Sequence, residues 1–340
     1  MRPPAGAAAA PPLWAAIRGQ DAAVALLQRA LVTDRVAHAY AFVGPPGVGW
    51  RLTALAFARA CLCPRQGCGA CSVCRRVAAG QHPDCQLVVP TPPRDNPKGP
   101  LAIRMEQVRD LEHWAALAPL EAPRKLFIVD DADRLTREAP QALLKTLEEP
   151  PPRTLLILIV ANVRGLPPTV LSRCQVVRFR PLPEPAATAL LVEQGTDPAA
   201  AARLARLCRG QVGLALAADL EAMQAHRAAA LELLATPPPR LAGRLDDARL
   251  DRDRDTVTAL LETVWLWYRD ALCLAAGGDA TPLVNEDRRE DVAALARRTP
   301  VPALADALRV VKEAWLALET NVNPRLALER ALLALAPRAA

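Results

Sequence analysis

The sequence predicts a parallel, doubly wound α/β domain followed by two all-helical domains. Short apolar runs alternate with helical patterns through the first half, which is typical of a parallel sheet covered by helices. Two of these runs are apolar throughout, as expected of strands that are buried on both faces. After Pro181-Leu182-Pro183 the strand pattern disappears, and helical patterns continue to Leu335.

Hydrophobic periodicity predicts five strands and the helices around them. The strands are Ala39–Val43, Gln86–Val89, Leu126–Asp130, Leu155–Ala161 and Gln175–Phe179. The clearest helices of the first half are Asp21–Val32, Met105–Leu117 and Ala139–Glu148. The second half has short helices from Glu184 to about Leu220, a proline-rich break at Thr236–Arg240, and long helices at Asp255–Ala275 and Val301–Leu318.

These breaks predict the domain boundaries. Residues 1–12 are rich in Pro and Ala and predict a disordered N-terminus. Residues 13–181 form the α/β domain with a cysteine-rich module at 61–85, residues 182–236 a small helical domain, and residues 237–340 a larger helical domain. The charged patch Arg244–Asp255 is interpreted as a solvated helix face.

Composition limits the class of protein. A chain of 340 residues suits two or three domains, and 51% hydrophobic residues suffice for packed cores. A net charge of +6 is compatible with a nucleic acid or an acidic protein as partner, but it is small for a dedicated DNA binder. No apolar run approaches the ~20 residues of a membrane span, and no signal peptide is evident. We therefore expect a soluble cytoplasmic protein without a membrane partner.

A glycine-rich segment follows the first strand and opens a helical pattern; it reads GPPGVGWR and covers Gly44–Arg51. Strand, glycine-rich turn and helix form the context of a Walker A phosphate-binding loop. Its glycines, Gly44, Gly47 and Gly49, would let backbone N–H groups approach phosphate oxygens. The motif then requires Lys for the phosphates and Ser or Thr for magnesium, but Trp50 and Arg51 stand there. An indole carries no charge and a guanidinium has no oxygen for a metal, so the loop is degenerate.

The third predicted strand ends in the acidic segment Asp130-Asp131-Ala132-Asp133. In a loop NTPase the first acid at this position (Walker B) holds magnesium, and a following Glu orients or activates water. Asp131 stands at the position of that Glu, with a side chain one methylene shorter. A solvated strand end explains Asp130 equally well. Together with the glycine loop, the segment indicates a nucleotide-binding fold with a degenerate acidic box.

Five of the nine cysteines lie between Cys61 and Cys74. Without a secretion signal, clustered thiols favour a metal over disulfides. The spacing Cys63-x4-Cys68-x2-Cys71-x2-Cys74 supplies four thiolates for a closed structural zinc site. Cys61 competes with Cys63 as the first ligand, since only one of the two should point at the metal. Buried or free thiols are the alternative, and we adopt it for the isolated Cys85, Cys174, Cys208 and Cys273.

The segment Ser172-Arg173-Cys174 lies between two strand-like runs. An arginine on such a loop would be able to project across a subunit boundary, where an arginine finger raises turnover at the neighbour's phosphates by ~10³–10⁵. The alternative is a surface Arg in a local ion pair, and residue chemistry alone favours that alternative.

In their order, these motifs resemble the bacterial clamp-loader subunits of DNA polymerase III, which belong to the AAA+ class, and they are most similar to the delta-prime members. The resemblance covers His38 to Phe179 and includes the glycine loop, the cysteines, the acidic box, Leu143–Pro151 and Ser-Arg-Cys. It resumes in the helical part at Trp267–Asp270 and Asn321–Glu329.

The resemblance implies an AAA+ domain, a helical lid and a helical collar, which assemble a five-membered ring with gamma/tau and delta subunits. Such a ring opens a sliding clamp and closes it on primed DNA. Arg173 would be the finger aimed at ATP on the adjacent gamma/tau subunit, and Cys63, Cys68, Cys71 and Cys74 would carry zinc. Related chains place a phosphate-sensing Arg in the lid, where this chain has Leu214.

We therefore expect a subunit of the DNA polymerase III holoenzyme that supplies Arg173 to its neighbour and does not hydrolyse ATP itself. The alternative is an ATP-hydrolysing, gamma/tau-like subunit in which Arg51 acts for the missing Lys; binding of ATP or ADP by this chain stays open for the same reason. A zinc-dependent DNA-binding protein is a third hypothesis, but no basic stretch interleaved with aromatics accompanies the cysteines.

Overall fold

The computed structural model describes residues 12–96, 99, 101–247, 254–278, 283–318 and 322–336. The predicted disordered N-terminus lies outside the described residues except for Pro12, and so does the middle of the charged patch Arg244–Asp255. The chain divides into two compact units, residues 1–190 with 210–216 and residues 191–209 with 217–340. The division into three domains at 181 and 236 stays a prediction.

The first unit is built on a five-stranded sheet in the order β2-β3-β4-β1-β5. The strands are β1 Ala39–Val43, β2 Cys85–Val88, β3 Lys125–Val129, β4 Thr154–Val160 and β5 Gln175–Arg178. Every neighbouring pair is parallel, which confirms the predicted architecture. β3 starts one residue earlier than predicted, at Lys125, which pairs with Thr154. This charged residue can begin a buried strand because its Nζ donates to the carbonyl of Trp114 at 2.7 Å.

Both faces of the sheet are buried, as the apolar strands predict. In β1 the large side chains of Tyr40 and Phe42 pack on one face, while the small Ala39 and Ala41 pack on the other. The helices of this unit are α1 Pro12–Ala15, α2 Asp21–Val32, α3 Trp50–Leu62, α4 Ser72–Ala78, α5 Met105–Ala116, α6 Ala139–Glu148, α7 Pro168–Leu171 and α10 Val212–Ala217. Single 3-10 turns lie at Ala132–Arg134 and Val163–Gly165. Helix α8, Glu184–Glu193, spans the division between the units.

The second unit is helical, as predicted. Its helices are α9 Pro198–Leu207, α11 Leu220–Ala235, α12 Pro238–Asp247, α13 Arg254–Ala275, α14 Arg289–Arg298, α15 Val301–Leu318 and α16 Pro324–Leu335, with a 3-10 turn at Glu286–Arg288. Helix α13 is central and packs against α11, α14, α15 and α16. The buried Asp270 in α13 accepts hydrogen bonds from the backbone N–H and the side-chain amide of Asn285, at 2.8 and 2.9 Å. Among the described residues, no helix combines the length and the apolarity that crossing a membrane requires.

Candidate functional site

The glycine loop lies at the carboxyl edge of the sheet, directly after β1. There the strand order reverses, because β1 pairs with β4 on one side and with β5 on the other. Ligands of open α/β sheets bind at such a point. The loop ends at Gly49, whose φ of +93° precedes the first turn of α3. The strand, loop and helix predicted for a Walker A segment are therefore present in their expected place.

Gly47 in the middle of the loop contacts the beginning of α10, within the same unit. Its φ is +75°, which favours glycine. A Cβ at this position would lie 2.7 Å from the backbone nitrogen of Leu214, and the carbonyl of Gly47 accepts a hydrogen bond from the N–H of Gly213 at 2.8 Å. Packing of protein backbone therefore accounts for glycine here without reference to a phosphate.

Trp50 takes the position of the lysine that a phosphate loop requires. It is only 7% exposed and belongs to the same core as Val48, Ala54 and Phe57. The indole therefore contributes buried apolar surface to this face of the sheet. The side chain at this position packs in the core, and it has no positive charge to offer a phosphate.

Arg51 takes the position of the magnesium-binding Ser or Thr, and it reaches the acidic box. Its Nη1 lies 3.5 Å from Oδ2 of Asp130, with side-chain exposures of 54% and 14%. Burial raises the pKa of Asp130 above its usual value of 3.8, Asp131 adds to this effect, and the Arg51 guanidinium opposes it. The structure thus brings together a guanidinium and the carboxylate that would hold a metal in an ATPase.

The other two acids of the box do not face the loop. Asp131 has a φ of +49°, and its carboxylate lies 3.7 Å from Nε of Arg134. Asp133 accepts hydrogen bonds from the backbone N–H groups of Ala161 and Asn162, at 3.1 and 3.2 Å, and so joins the acidic box to the end of β4.

Four cysteine thiols meet between α3 and α4. The Sγ atoms of Cys63, Cys68, Cys71 and Cys74 all lie within 4.8 Å of one another. Cys63 Sγ lies 3.9 Å from that of Cys68 and 3.6 Å from that of Cys71. Four thiolates at ~2.3 Å from a tetrahedral zinc ion would stand about 3.8 Å apart, so the donor set fits this metal. Cys61 is not in this group: it is buried in the core, and burial raises its pKa to about 12.

Backbone amides prepare part of this cluster for the thiolate form. Burial works to raise the pKa of Cys63, but the amides of Cys68, Arg65 and Gly67 outweigh it and lower the pKa to about 6. Amides of Ala70 and Cys71 lower the pKa of Cys68. Amide donors to the sulfurs are the outer contacts that commonly support metal-bound thiolates. Burial instead raises the pKa of Cys74 to about 12.

Arg173 lies just after α7 and is held by two local contacts. Its Nη2 lies 2.8 Å from Oε1 of Glu148, at the end of α6, and its Nη1 donates to the carbonyl of Thr169 at 2.8 Å. The side chain is 37% exposed. The local ion pair that residue chemistry favours is therefore present, and the guanidinium is still accessible at the surface of the chain. Sequence reasoning missed Glu148 as the partner.

The comparisons with known proteins agree with the motifs. A family model described as "DNA polymerase III, delta subunit" matches residues 19–183, and one described as "DNA polymerase III, delta subunit, C terminal" matches residues 249–336. The DNA polymerase III subunit delta' of Bacillus subtilis is 29% identical over 324 residues, which cover 93% of this chain and 96% of that protein. The chain belongs to the DNA polymerase III delta-prime family.

Two further relatives match just under half of the chain. The delta' subunit of Pseudomonas aeruginosa is 38% identical over 156 residues, 45% of each chain. The tau subunit of Bacillus subtilis is 33% identical over 166 residues, which are 48% of this chain but 28% of that protein. These two matches each cover less than half of this chain, whereas the match to the Bacillus subtilis delta' subunit extends over nearly all of both proteins. The fold of the chain is the predicted parallel α/β domain followed by helices.

Proposed function

We propose that this chain is a non-hydrolysing delta-prime subunit of a clamp loader, and that it supplies Arg173 in trans to ATP bound by a neighbouring gamma/tau subunit. The loader would be a five-membered ring with gamma/tau and delta subunits that places a sliding clamp on primed DNA. One observation carries the proposal: where an ATPase needs an ammonium group, this chain has the buried indole of Trp50.

The pair Arg51–Asp130 supports the absence of hydrolysis. Magnesium in a loop NTPase requires oxygen from the Ser or Thr of the loop and from the Walker B acid. Here the loop residue has no oxygen, and its guanidinium already lies 3.5 Å from the acid. Any metal would have to displace this cation. Loss of one preorganised charge contact in an active site commonly costs ~3–4 kcal/mol of transition-state stabilisation, and this loop has lost its lysine.

The remaining parts of the proposal rest on the exposure of Arg173, on the four-thiol cluster and on the family to which the chain belongs. The side chain of Arg173 is 37% exposed, which leaves it accessible to a neighbouring molecule. The four-thiol cluster would hold one structural zinc ion through Cys63, Cys68, Cys71 and Cys74. The helices after residue 182 would form the lid to 236 and the collar from 237, and the complex would work in the cytoplasm.

The experiment measures ATP turnover of the lone chain and of the reconstituted loader with clamp and primed DNA. We expect no saturable hydrolysis by the lone chain. In the loader, Arg173→Ala should lower stimulated turnover by about 10³-fold or more, because an arginine finger in trans contributes that much. Arg29→Ala, at an exposed position of α2, is the matched control and should leave turnover unchanged. Assembly of the ring is checked by gel filtration, and full turnover by an assembled Arg173→Ala loader would refute the role of Arg173.

A second candidate function is ATP hydrolysis by the chain itself, which the similarity of 48% of the chain to a tau subunit favours. In that case Arg51 would replace the loop lysine. Saturable hydrolysis by the lone chain, abolished by Asp130→Asn, would establish this function and reject the non-hydrolysing role.

A further inference from the structure

Arg173 is oriented by two elements that precede it. Glu148 is the last residue of α6, and Thr169 lies in the short helix α7; the two helices pack against each other. The Ser172 hydroxyl donates to the same Thr169 carbonyl at 3.0 Å and lies 3.5 Å from Nη1 of Arg173. The guanidinium is thus held at Nη2 by a carboxylate and at Nη1 by a carbonyl.

This anchoring leaves part of the guanidinium able to bind an anion. An arginine has five N–H donors in a fixed planar fork. Glu148 and Thr169 engage one hydrogen on each Nη, and Nη1 also lies near Ser172. Within the described residues, Nε and the second hydrogen of Nη2 have no hydrogen-bond partner. Two anchors fix the plane of the fork and leave these remaining donors for an anion.

The position of Glu148 is itself fixed by the core. Helix α6 buries Leu143 and Leu147, and three prolines follow it at Pro150–Pro152. The backbone that carries Glu148 is therefore set by packing, while its carboxylate stays at the surface. Glu149 is also exposed, yet the ion pair of Arg173 is made by Glu148.

We infer that Glu148 is a positioning residue for Arg173: it holds the guanidinium in the orientation in which it meets the phosphates of ATP on the adjacent subunit. The inference rests on the proposed function of Arg173. An exposed ion pair stabilises a fold little, so its main effect here is to restrict the rotamers of a long side chain. Preorganised geometry is what an arginine that acts across a boundary requires, since small misplacements at a reacting phosphate are costly.

The test uses the complete loader with clamp and primed DNA. Glu148→Gln should lower kcat for ATP by about 10-fold with little change in KM, because a glutamine lacks the charge that holds the fork while ATP still binds to the neighbour. Glu149→Gln is the matched control and should keep the original kcat. In an Arg173→Ala background, Glu148→Gln should cause no further loss, because the residue acts only through Arg173.

Each outcome decides between the two proposals. If Arg173→Ala lowers turnover but Glu148→Gln leaves kcat unchanged or raises it, the positioning role is wrong and the finger stands. If Glu148→Gln lowers turnover equally with and without Arg173, Glu148 acts on structure or assembly, and the inference is wrong again. If Arg173→Ala has no effect, the proposed function itself fails.

Discussion

At the scale of single residues, Asp84 shows how a buried charge is stabilised at the start of β2. Its Oδ1 accepts from the N–H of Leu120 at 2.7 Å, and its Oδ2 accepts from Glu121 and Ala122, both at 2.9 Å. Burial works to raise the pKa of Asp84, but these amides and the nearby His82 outweigh it, so the pKa falls below 3.8. The carboxylate therefore holds residues 120–122, which lead into β3, by hydrogen bonds to their backbone.

We predict that Asp84→Asn lowers the free energy of unfolding by about 1.5–3 kcal/mol at neutral pH, the usual cost of losing hydrogen bonds to a charged group. Because the folded pKa is depressed, the contribution of Asp84 is present above the unfolded value of 3.8 and is lost as pH falls through the folded pKa. The difference between the two proteins should therefore shrink below pH 3.8. Urea unfolding of the wild type and of Asp84→Asn, from neutral pH to below pH 3.8, measures this difference in the free energy of unfolding.

Asp110→Asn, at an exposed position in α5, is the control and should change stability little at any pH. A difference between wild type and Asp84→Asn that stays constant or grows as the pH falls would contradict the role assigned to the carboxylate.

Single residues also show the limits of reading a chain by motif. The defect of the loop at Trp50 and Arg51 is evident from the residues themselves. That Trp50 is buried, and that Arg51 pairs with Asp130, is not evident, because neither motif spacing nor periodicity tells where a side chain points. The partner of Arg173 could not be predicted either, since residues 150–183 contain no acid and the pairing with Glu148 depends on how two separate helices pack.

At the scale of elements, the cysteine module forms a compact turn between α3 and α4. Gln66, Gly67 and Gly69 adopt positive φ angles, which turn the chain tightly enough to point Cys63 and Cys68 at the same centre. Cys71 caps α4 and accepts from the N–H of Cys74 at 3.4 Å. The module has too few apolar residues of its own to order this turn, so a metal would complete it.

We predict one zinc ion per chain, measured by elemental analysis of the purified protein. Cys68→Ser should abolish stoichiometric zinc, because three thiolates and a hydroxyl no longer form the closed site. Hydrogen exchange should then accelerate between residues 63 and 74 and stay slow in α13, which belongs to the other unit.

The control is Cys61→Ser, since Cys61 lies outside the four-thiol group. This variant should keep its zinc. Full zinc content in Cys68→Ser, or loss of zinc in Cys61→Ser, would show that the ligand set is wrong.

At the scale of the whole molecule, each compact unit has its own core. The cores on the two faces of the sheet are drawn from residues 14–179, whereas the helical core is drawn from residues 230–332. Separate cores allow separate stabilities, because local opening is governed by the apolar contacts within each unit.

We predict that Leu261→Ala, at a fully buried position in α13, destabilises the helical unit by ~2–5 kcal/mol, the cost of a cavity in a packed core. Native-state hydrogen exchange should show lost protection in α13 and α15, with β3 and β4 unchanged. Leu316→Ala is the control, because this leucine is exposed on α15 and should change stability by less than ~0.5 kcal/mol. Equal loss of protection in the sheet and in the helices would show that the two cores unfold together.

The sequence by itself determined the parallel sheet, the helical second half, the degenerate loop, the cysteine spacing and the family, because each is written in local periodicity or in the order of motifs. Tertiary structure alone decided that Cys63, and not Cys61, is one of the four clustered thiols. It also decided that Arg51 forms an ion pair with Asp130 and that Glu148 forms one with Arg173. The physical reason is the same in each case: the contact depends on the direction of side chains from separate elements, which only the packed chain defines.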